Sequence, residues 1–518
     1  MRHTIDRRNF IRIGAAGAAA APVLLTSCAH PPAAVGRPQA AKKSAARADY
    51  FASNFGVDEE LLRKVIRRGM SKGGDFAEVF VQHRAGDYIG FEDEQVNRAY
   101  AQVDLGAGIR VLEGDQTGYA YTEELTEKSL LAAAETAATI ATGQPGSAPS
   151  SFSSVEMPRL YETRRLWSAA APDSKIDLVQ RVGEKVRGGD PSIVKAAVHF
   201  MDEDEVILVA NSEGLIAEDT RPLTFLYATC VAEKDGRVES NSYSRSRREG
   251  PSMYSDALID EIAREAVDRT MLLFDARVPE AGEMPVVLAP ATSGILLHEA
   301  MGHGFEADFN RKGTSIFSTM MDEPVAESFV SIVDTALEEK ARGSINIDDE
   351  GTPGQSTVLV ENGRLVSYLH DRISAAHYGV ERTGNGRRED FRCVPLPRMR
   401  VTTMENGPHD PEEIIRSVKH GLYAVDFANG EVNIGAGDYS FYVKTGYLIE
   451  DGKITSPVKD VNLTGNGPDS LSKVVMVGDD KQLDGGTWAC GKDGQSVPVG
   501  LGLPTVKVSA ITVGGVNS

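Results

Sequence analysis

Several features that stabilise or anchor other proteins are scarce in this sequence. The four cysteines, Cys28, Cys230, Cys393 and Cys490, lie far apart, which excludes a zinc ribbon and gives no sign of a disulfide framework. Basic residues number 55 against 75 acidic ones, and the net charge of -20 disfavours nucleic acid and anionic lipid as partners. After the N-terminal stretch, no apolar run reaches the ~18 residues that a membrane-spanning helix needs.

The remaining composition is typical of a globular protein with more than one domain. Hydrophobic residues make up 41% of the chain and charged residues 25%. A chain of 518 residues exceeds what one hydrophobic core usually supports, so we expect at least two domains. We place their boundary near residue 280, where mixed helix and strand patterns give way to short strands between Gly-rich turns.

The N-terminus resembles a twin-arginine export signal. Arg7 and Arg8 precede Phe10 at a short gap, and an Ala/Gly-rich stretch too short for a stable anchor follows. Residues 1–27 are therefore expected to be a signal peptide, and residues 28–48, rich in Ala and Pro, a tether. We expect the mature protein to be periplasmic or otherwise extracytoplasmic.

Cys28 ends a stretch, Leu25-Thr-Ser-Cys28, that resembles a lipobox. Acylation of Cys28 after cleavage would give a lipid anchor, which is the one membrane contact we expect. The alternative is cleavage by signal peptidase at a small residue nearby, which would leave a protein without a lipid.

Residues 49–280 are predicted to form an N-terminal α+β domain with mixed or antiparallel strands. Apolar residues between positions 61 and 66 recur at helical spacing after Asp58, which is a suitable N-cap. Further helices are predicted at 123–141 and 173–187.

Residues 281–518 are predicted to form a β-rich domain, barrel-like or sandwich-like, that carries a short metal-binding helix. Runs such as Phe441-Tyr-Val-Lys and Lys507-Val-Ser-Ala-Ile are typical of short strands. A second helix is predicted at 324–340.

The sequence His298-Glu-Ala-Met-Gly-His303 carries the residues of a zinc-binding helix at an unusual spacing. Two histidines four residues apart share one helix face, whereas five residues place them about 140° apart around an α-helix. A π-bulge or a break in the helix would bring them together, and Gly302 and Gly304 are predicted to supply the backbone freedom.

Two further residues complete a candidate catalytic site. Glu299 has the position of the general base in helical metallopeptidases. Cys490, in a Gly-rich segment, is the best candidate for a third ligand, which would give a His/His/Cys set. Cys230 lies in an apolar strand pattern and is expected in the core, while Cys393 is compatible with either burial or exposure.

These and other motifs resemble the TldD/PmbA family of metallopeptidases, in particular its TldD branch. The resemblance covers roughly residues 55–515 and is densest in the second half. Besides His298–His303, the stretches that carry it include Asp308-Phe-Asn-Arg-Lys-Gly-Thr-Ser, Asp348-Asp-Glu-Gly-Thr-Pro-Gly-Gln355, Thr383-Gly-Asn-Gly-Arg-Arg-Glu389, Tyr447-Leu-Ile-Glu-Asp-Gly-Lys453 and Cys490-Gly-Lys-Asp-Gly-Gln.

The resemblance implies a Zn²⁺ ion held by His298, His303 and Cys490, with Glu299 as the catalytic residue. It also implies that unfolded or extended peptides enter a narrow tunnel or groove, and that the chain pairs with itself or with a PmbA-like paralogue. The export signal departs from the pattern of the family's cytoplasmic members. We therefore expect a zinc metallopeptidase that hydrolyses peptide bonds. The alternatives are a non-catalytic peptide-binding subunit with structural zinc, and a metal-dependent amidase that acts on cell-wall material.

Other polar residues in these motifs have open roles. Asp348, Asp349 and Glu350 would either bind a second cation or form a turn with solvated carboxylates, and we expect the turn. Arg387 and Arg388 would hold either a substrate carboxylate or a structural ion pair. His370, His377 and Tyr447 are candidates for stabilising the oxyanion.

The export signal makes a direct prediction. Replacing both Arg7 and Arg8 with lysine should leave the protein in the cytoplasm of a bacterium that has the twin-arginine pathway, which cell fractionation measures. The matched control replaces Arg37 and Arg47 of the tether with lysine and should not change export. Undisturbed export of the Arg7/Arg8 variant would contradict the assignment.

Overall fold

The computed structural model of the chain describes residues 44–45 and 49–515. The predicted export signal, Cys28 and nearly all of the tether lie outside the described residues. Within the described part of the chain, no helix has both the length and the apolar character needed to span a membrane.

The first half of the described chain is an antiparallel sheet with helices packed on it. The helices are α1 (Tyr50–Phe55), α2 (Glu59–Gly69), α3 (Glu127–Ala137), α4 (Pro172–Arg187) and α5 (Asp256–Leu272). The strands are β1 (Ser44–Ala45), β2 (Phe76–Glu92), β3 (Gln95–Glu113), β4 (Gln116–Thr122), β5 (Ser153–Ser154), β6 (Glu156–Met157), β7 (Ile193–Asn211), β8 (Leu215–Lys234) and β9 (Arg237–Arg247).

Seven of these strands form the N-terminal sheet, in the order β4-β3-β2-β7-β8, with β9 and β5 both paired to β8. All its pairings are antiparallel except that of β5 with β8. Helices α2 and α3 cover one part of the sheet, and α4 and α5 cover another. The predicted α+β organisation of this half is therefore confirmed.

Local sequence determines where the helices of this half begin. The Asp58 side chain accepts a hydrogen bond of 2.9 Å from the Leu61 amide, so Asp58 is the N-cap of α2, as predicted. Thr126 caps α3 in the same way, and α3 is shorter than the predicted 123–141. Helix α4 begins with a proline at its first position and agrees with the prediction.

The second half is mainly β-structure. Its strands are β10 (Gly282–Leu288), β11 (Ile332–Thr335), β12 (Ser356–Glu361), β13 (Arg364–Leu365), β14 (Gly386–Arg387), β15 (Leu396–Pro397), β16 (Val401–Met404), β17 (His420–Val432), β18 (Asp438–Glu450), β19 (Lys453–Val458), β20 (Val461–Asn466), β21 (Val474–Val477), β22 (Gln482–Leu483), β23 (Ala489–Lys492), β24 (Gln495–Pro498), β25 (Gly500–Leu503) and β26 (Val506–Gly515). Its helices are α6 (Ile295–Leu297), α7 (Ala307–Arg311), α8 (Arg372–Tyr378), α9 (Pro411–Arg416) and α10 (Gly467–Ser472).

Five of these strands close into a barrel. They follow the order β10-β17-β18-β20-β26, and β26 pairs back with β10. The pairing of β10 with β17 is parallel, and the other four are antiparallel. A second sheet has the order β13-β12-β11-β16-β25-β22. Helix α6 contacts the barrel strand β17 and the second-sheet strand β16, so it lies between the two layers.

The prediction of a helix at residues 324–340 is wrong. Residues 332–335 form β11, which pairs with β12 on one side and β16 on the other. From Phe329 to Asp334, buried and partly buried residues alternate strictly, which is the period of a strand. Because β11 lies in the middle of the second sheet and pairs on both edges, its contacts in the sheet determine that this segment is a strand.

A buried ionic network joins the two halves. The Arg110 guanidinium on β3 donates to Glu78 on β2 at 2.8 Å and to Glu350 of the second half at 2.6 Å. Arg388, also from the second half, donates to the other oxygen of Glu78 at 2.6 Å. All four side chains have at most 1% exposure.

This network corrects the expectation of a solvated turn at residues 348–350. Asp348, Asp349 and Glu350 are buried. Asp349 accepts a hydrogen bond of 2.7 Å from Arg221 on β8, and Asp348 accepts bonds from the backbone amides of Glu350, Thr352 and Gly386. The carboxylates are already bonded to protein donors, which argues against a second cation as their ligand.

The network predicts a large effect on stability. Replacing Arg110 with methionine should lower the free energy of unfolding by about 3–5 kcal/mol. The buried Glu78 would keep only Arg388 as its ion-pair partner, and the buried Glu350 would keep only the backbone amide of Arg372. Denaturation in urea, followed by circular dichroism, measures this loss.

The matched control is Arg416→Met. Arg416 is 61% exposed and pairs with Glu412 on the surface, so its replacement should change stability by less than about 0.5 kcal/mol. Equal effects of the two substitutions would show that the network does not contribute as described.

Candidate metal centre

The segment that carries the two histidines contains one turn of π-helix. Residues His298–Gly302 adopt this wider turn, and the His303 amide donates to the His298 carbonyl five residues earlier. The wider turn brings both imidazoles to one side of the helix, with ring centroids 5.1 Å apart. The distortion that the five-residue spacing predicts is therefore confirmed.

The glycines around His303 have a different role from the predicted one. Gly302 has ordinary helical angles, with φ -55° and ψ -48°, so no special backbone conformation requires it. A Cβ atom at Gly302 would lie 2.2 Å from the sulfur of Met399, and one at Gly304 would lie 2.5 Å from a ring carbon of Phe317. These positions therefore need glycine because neighbouring side chains pack directly against the helix backbone.

Cys490 reaches the same point from a β-hairpin and not from a Gly-rich loop. Strands β23 and β24 pair so that Cys490 lies opposite Val497. Asp493 and Gly494 connect them with φ of 50° and 75°, the left-handed pair that closes a tight hairpin. The Asp-Gly dipeptide is a sequence signal for this hairpin.

His298, His303 and Cys490 form a compact buried group, and their ligand atoms all lie within 4.8 Å of one another. The Cys490 Sγ lies 3.5 Å from His303 Nε2. Zinc bonds of about 2.3 Å to sulfur and about 2.0–2.1 Å to nitrogen, at a tetrahedral angle, would place these atoms about 3.5 Å apart. The observed distance of 3.5 Å between Cys490 Sγ and His303 Nε2 fits a tetrahedrally coordinated zinc ion.

The hydrogen bonding of His298 also fits a metal ligand. Its side chain is 1% exposed, and neither ring nitrogen has a hydrogen-bond partner among the described residues. A buried imidazole without partners is costly unless another group supplies the missing bond. Two imidazoles and a thiol are ligands that zinc prefers, so this donor set could hold a zinc ion.

The charges around the site favour the thiolate of Cys490 and the carboxylate of Glu306. Despite burial, Cys490 and Glu306 raise the pKa of His303 well above its ordinary value, so a bound metal has to displace a proton from this imidazole. Burial alone would raise the pKa of the Cys490 thiol, but His303 and Arg398 lower it well below its ordinary value. His303 Nδ1 is 2.9 Å from Glu306 Oε2. Burial would raise the pKa of Glu306, yet Lys492 and His303 hold it at about 2. Glu306 is therefore ionised and accepts a hydrogen bond from Nδ1–H of His303. The other ring nitrogen of His303, Nε2, faces Cys490.

Glu299 lies beside the group and is more exposed than its members. Its side chain is 18% exposed, whereas that of His303 is 5% exposed, and His298 and Cys490 are each 1% exposed. Its Oε2 is 3.8 Å from His303 Nε2. Burial raises the pKa of Glu299 despite the opposing effect of His303 and His298. A carboxylate placed here could exchange protons with a small molecule that approaches from this side.

The candidate oxyanion residues make no recorded contact with this group. Among the described residues, His370, His377 and Tyr447 form no hydrogen bond or ring contact with His298, Glu299, His303 or Cys490. His370 is buried beside Tyr368 and Tyr378, and His377 is exposed.

The two arginines of the 383–389 motif have structural roles. Arg388 is the ion-pair partner of Glu78, and Arg387 donates to the carbonyls of Met399 and Pro498. Cys230 is fully buried in the core, as expected, and Cys393 is partly buried.

Sequence reasoning missed Glu306 and Lys492. Lys492 lies two residues after Cys490 on β23, so the two side chains share one face of the strand. The sequence signal for Lys492 was its position two residues from Cys490 in a strand that ends at the Asp493-Gly494 turn, because residues two apart in a strand face the same side. Glu306 lies within a turn of His303, where a carboxylate can bond to an imidazole, but only the fold shows that both are buried.

Three family models of the PmbA/TldA metallopeptidases match this chain. The domain 1 model matches residues 77–141, the central-domain model residues 166–274, and the C-terminal-domain model residues 281–515. The family indicated by the sequence motifs is thereby confirmed.

Individual relatives agree with the models. A "Metalloprotease TldD homolog" of Haemophilus influenzae is 38% identical over 450 residues, which cover 86% of this chain and 93% of the relative. A "Zinc metalloprotease TldD homolog" of Saccharolobus solfataricus is 26% identical and covers 87% of this chain and 99% of its own length. The crystal structure of TldE from Thermococcus kodakarensis has the same fold, with a TM-score of 0.68 at 20% identity over 88% of this chain and 100% of that one. This chain belongs to the PmbA/TldA metallopeptidase family.

Proposed function

We propose that this protein is a zinc-dependent peptidase that hydrolyses peptide bonds in unfolded or extended peptides. His298, His303 and Cys490 would hold the ion, and Glu299 would act as the general base. The observation that carries the proposal is the arrangement of three buried candidate ligands with a partly exposed carboxylate beside them. Structural zinc sites usually have four protein ligands, whereas catalytic sites have three.

The side chains of the site would have separate roles in hydrolysis. Zinc held by the three ligands would act as a Lewis acid towards the peptide carbonyl and the attacking water. Glu299 accepts the proton of that water and returns it to the amine of the departing product. Glu306 keeps the His303 ring in one orientation through the 2.9 Å bond to Nδ1.

The depth of the site supports an extended substrate. The three candidate ligands are at most 5% exposed, and Glu299 beside them is partly exposed. A peptide bond inside a folded domain is itself buried, so an unfolded or extended peptide is the form of substrate that suits a buried site. We further propose export by the twin-arginine route, and pairing with a second copy or with a PmbA-like paralogue.

The first test concerns the general base. The Glu299→Gln variant should keep zinc at the wild-type stoichiometry, because Glu299 is not a ligand. Its turnover of an unstructured fluorogenic peptide should fall by about 10²–10⁴-fold, the usual contribution of a general base. Metal analysis and initial-rate assays measure the two quantities on one preparation.

Glu412→Gln is the matched control, since Glu412 is 72% exposed on α9. This variant should retain both zinc and activity. Full peptidase activity in Glu299→Gln would rule out Glu299 as the base. Bound zinc in a wild-type protein that cleaves no peptide would favour the non-catalytic subunit instead.

The second test concerns the third ligand. Cys490→Ser should weaken zinc binding by at least about 100-fold, since a neutral hydroxyl replaces the thiolate. Competition with a chromogenic chelator measures the dissociation constant. Cys393→Ser is the control, because Cys393 is not among the grouped ligands and should leave zinc affinity unchanged. Wild-type affinity in Cys490→Ser would exclude Cys490 from the site.

A further inference from the structure

Lys492 lies beside the candidate zinc site on the same strand as Cys490. Both residues belong to β23, two positions apart, and both side chains are buried. Gly491 between them faces outwards, where an added Cβ would meet no atom within 4 Å. The thiol and the ammonium therefore project from the same face of the hairpin into the interior.

The Lys492 ammonium has a full set of acceptors. Its Nζ donates to Glu306 Oε2 at 3.1 Å, to Asp308 Oδ1 at 2.6 Å and to the carbonyl of Pro397 at 3.0 Å. An ammonium has three protons, and each has an acceptor here. Lys492 thus connects the hairpin to the segment that follows His303 and to strand β15.

One of these acceptors is shared with a candidate ligand. Glu306 Oε2 also lies 2.9 Å from His303 Nδ1. A continuous path therefore runs from Cys490 along β23 to Lys492, then to Glu306 and to His303. The path returns to its start across the 3.5 Å gap between His303 Nε2 and Cys490 Sγ.

Lys492 also balances the charge of two buried carboxylates. Glu306 and Asp308 are both buried. Among the described residues, Lys492 is the one lysine or arginine that forms an ion pair with either of them. Arg398 lies nearby but donates to the carbonyls of Cys490 and Gln495. Without Lys492, two buried carboxylates would repel each other and would be free to turn away from His303.

We propose that Lys492 is a positioning residue of the zinc site, which fixes the spacing and orientation of His303 and Cys490 by holding Glu306 between the hairpin and the ligand helix. This inference rests on the proposed function in that it takes these residues as zinc ligands. Lys492 touches neither substrate nor ion and acts through Glu306. Such outer contacts commonly contribute 10–100-fold, roughly, to metal affinity.

The experiment measures zinc affinity by chelator competition on the purified full-length mature chain, independently of peptidase activity. Lys492→Met and Lys492→Gln should each weaken zinc binding by about 10–100-fold. The Co²⁺-substituted variants should show a shifted or weakened thiolate-to-metal absorption band, because the sulfur no longer faces His303 at the same distance. A purely structural lysine would lower the unfolding midpoint and leave both readouts unchanged.

A double-mutant cycle tests the route through Glu306. If Lys492 acts through Glu306, the variant with both Lys492→Met and Glu306→Gln should bind zinc about as well as the weaker single variant. Asp308→Asn is the matched control, because it removes the charge of another carboxylate that accepts from Lys492 and that does not contact His303. Its zinc affinity should stay within about threefold of the wild type.

The outcomes separate the two proposals. Zinc affinities of both Lys492 variants within threefold of the wild type overturn the positioning role, and so do additive effects in the cycle. If Lys492→Met does not fold, Lys492→Gln and Glu306→Gln decide the same point. A wild-type protein that binds no zinc would instead contradict the proposed function itself.

Discussion

Two imidazoles five residues apart can meet at one point only if the backbone between them is wider than an α-helix. The π turn at His298–Gly302 supplies that width. A single π turn has little stability of its own, so the surrounding packing has to hold it. Met399 lies against Gly302 and Phe317 against Gly304, so closely that no side chain would fit at either position. On another side, Gly467 of α10 lies against the Ala300 carbonyl, where a Cβ would come within 1.9 Å.

The layers around the turn are themselves joined by matched buried charges. Glu78, Arg110, Glu350 and Arg388 connect the N-terminal sheet to the second half. Close to the candidate ligands, Lys492 forms a smaller buried ionic network with Glu306 and Asp308. Buried charges are tolerated only with correctly placed partners, so each network allows few arrangements of the segments that it connects. The position of Cys490 relative to His303 depends on this restriction.

Local patterns in the sequence were sufficient for part of this structure. The Asp58 cap, the length of α4 and the need for a distorted helix at 298–303 follow from neighbours along the chain. Cys490 was found by its sequence context and by resemblance, and the fold brings it to the two histidines.

Features that depend on distant contacts could not be predicted in this way. The carboxylates at 348–350 have the composition of an exposed turn, and only the arginines of another sheet make their burial possible. Residues 324–340 have enough helix-forming residues to suggest a helix, but pairing with β12 and β16 makes β11 a strand. Glu306 and Lys492 are separated by most of the second half, so their contact has no signature in either segment.

The closure of the barrel also determines when the site can exist. Strand β10 leads directly into the segment with the two histidines, and it pairs with β26, whose described residues extend to Gly515. The hairpin with Cys490 likewise lies near the end of the described chain. During synthesis, the histidines therefore leave the ribosome long before the thiol and the strand that closes the barrel. The three candidate ligands can come together only after synthesis has passed Cys490, and the barrel can close only after synthesis has passed β26.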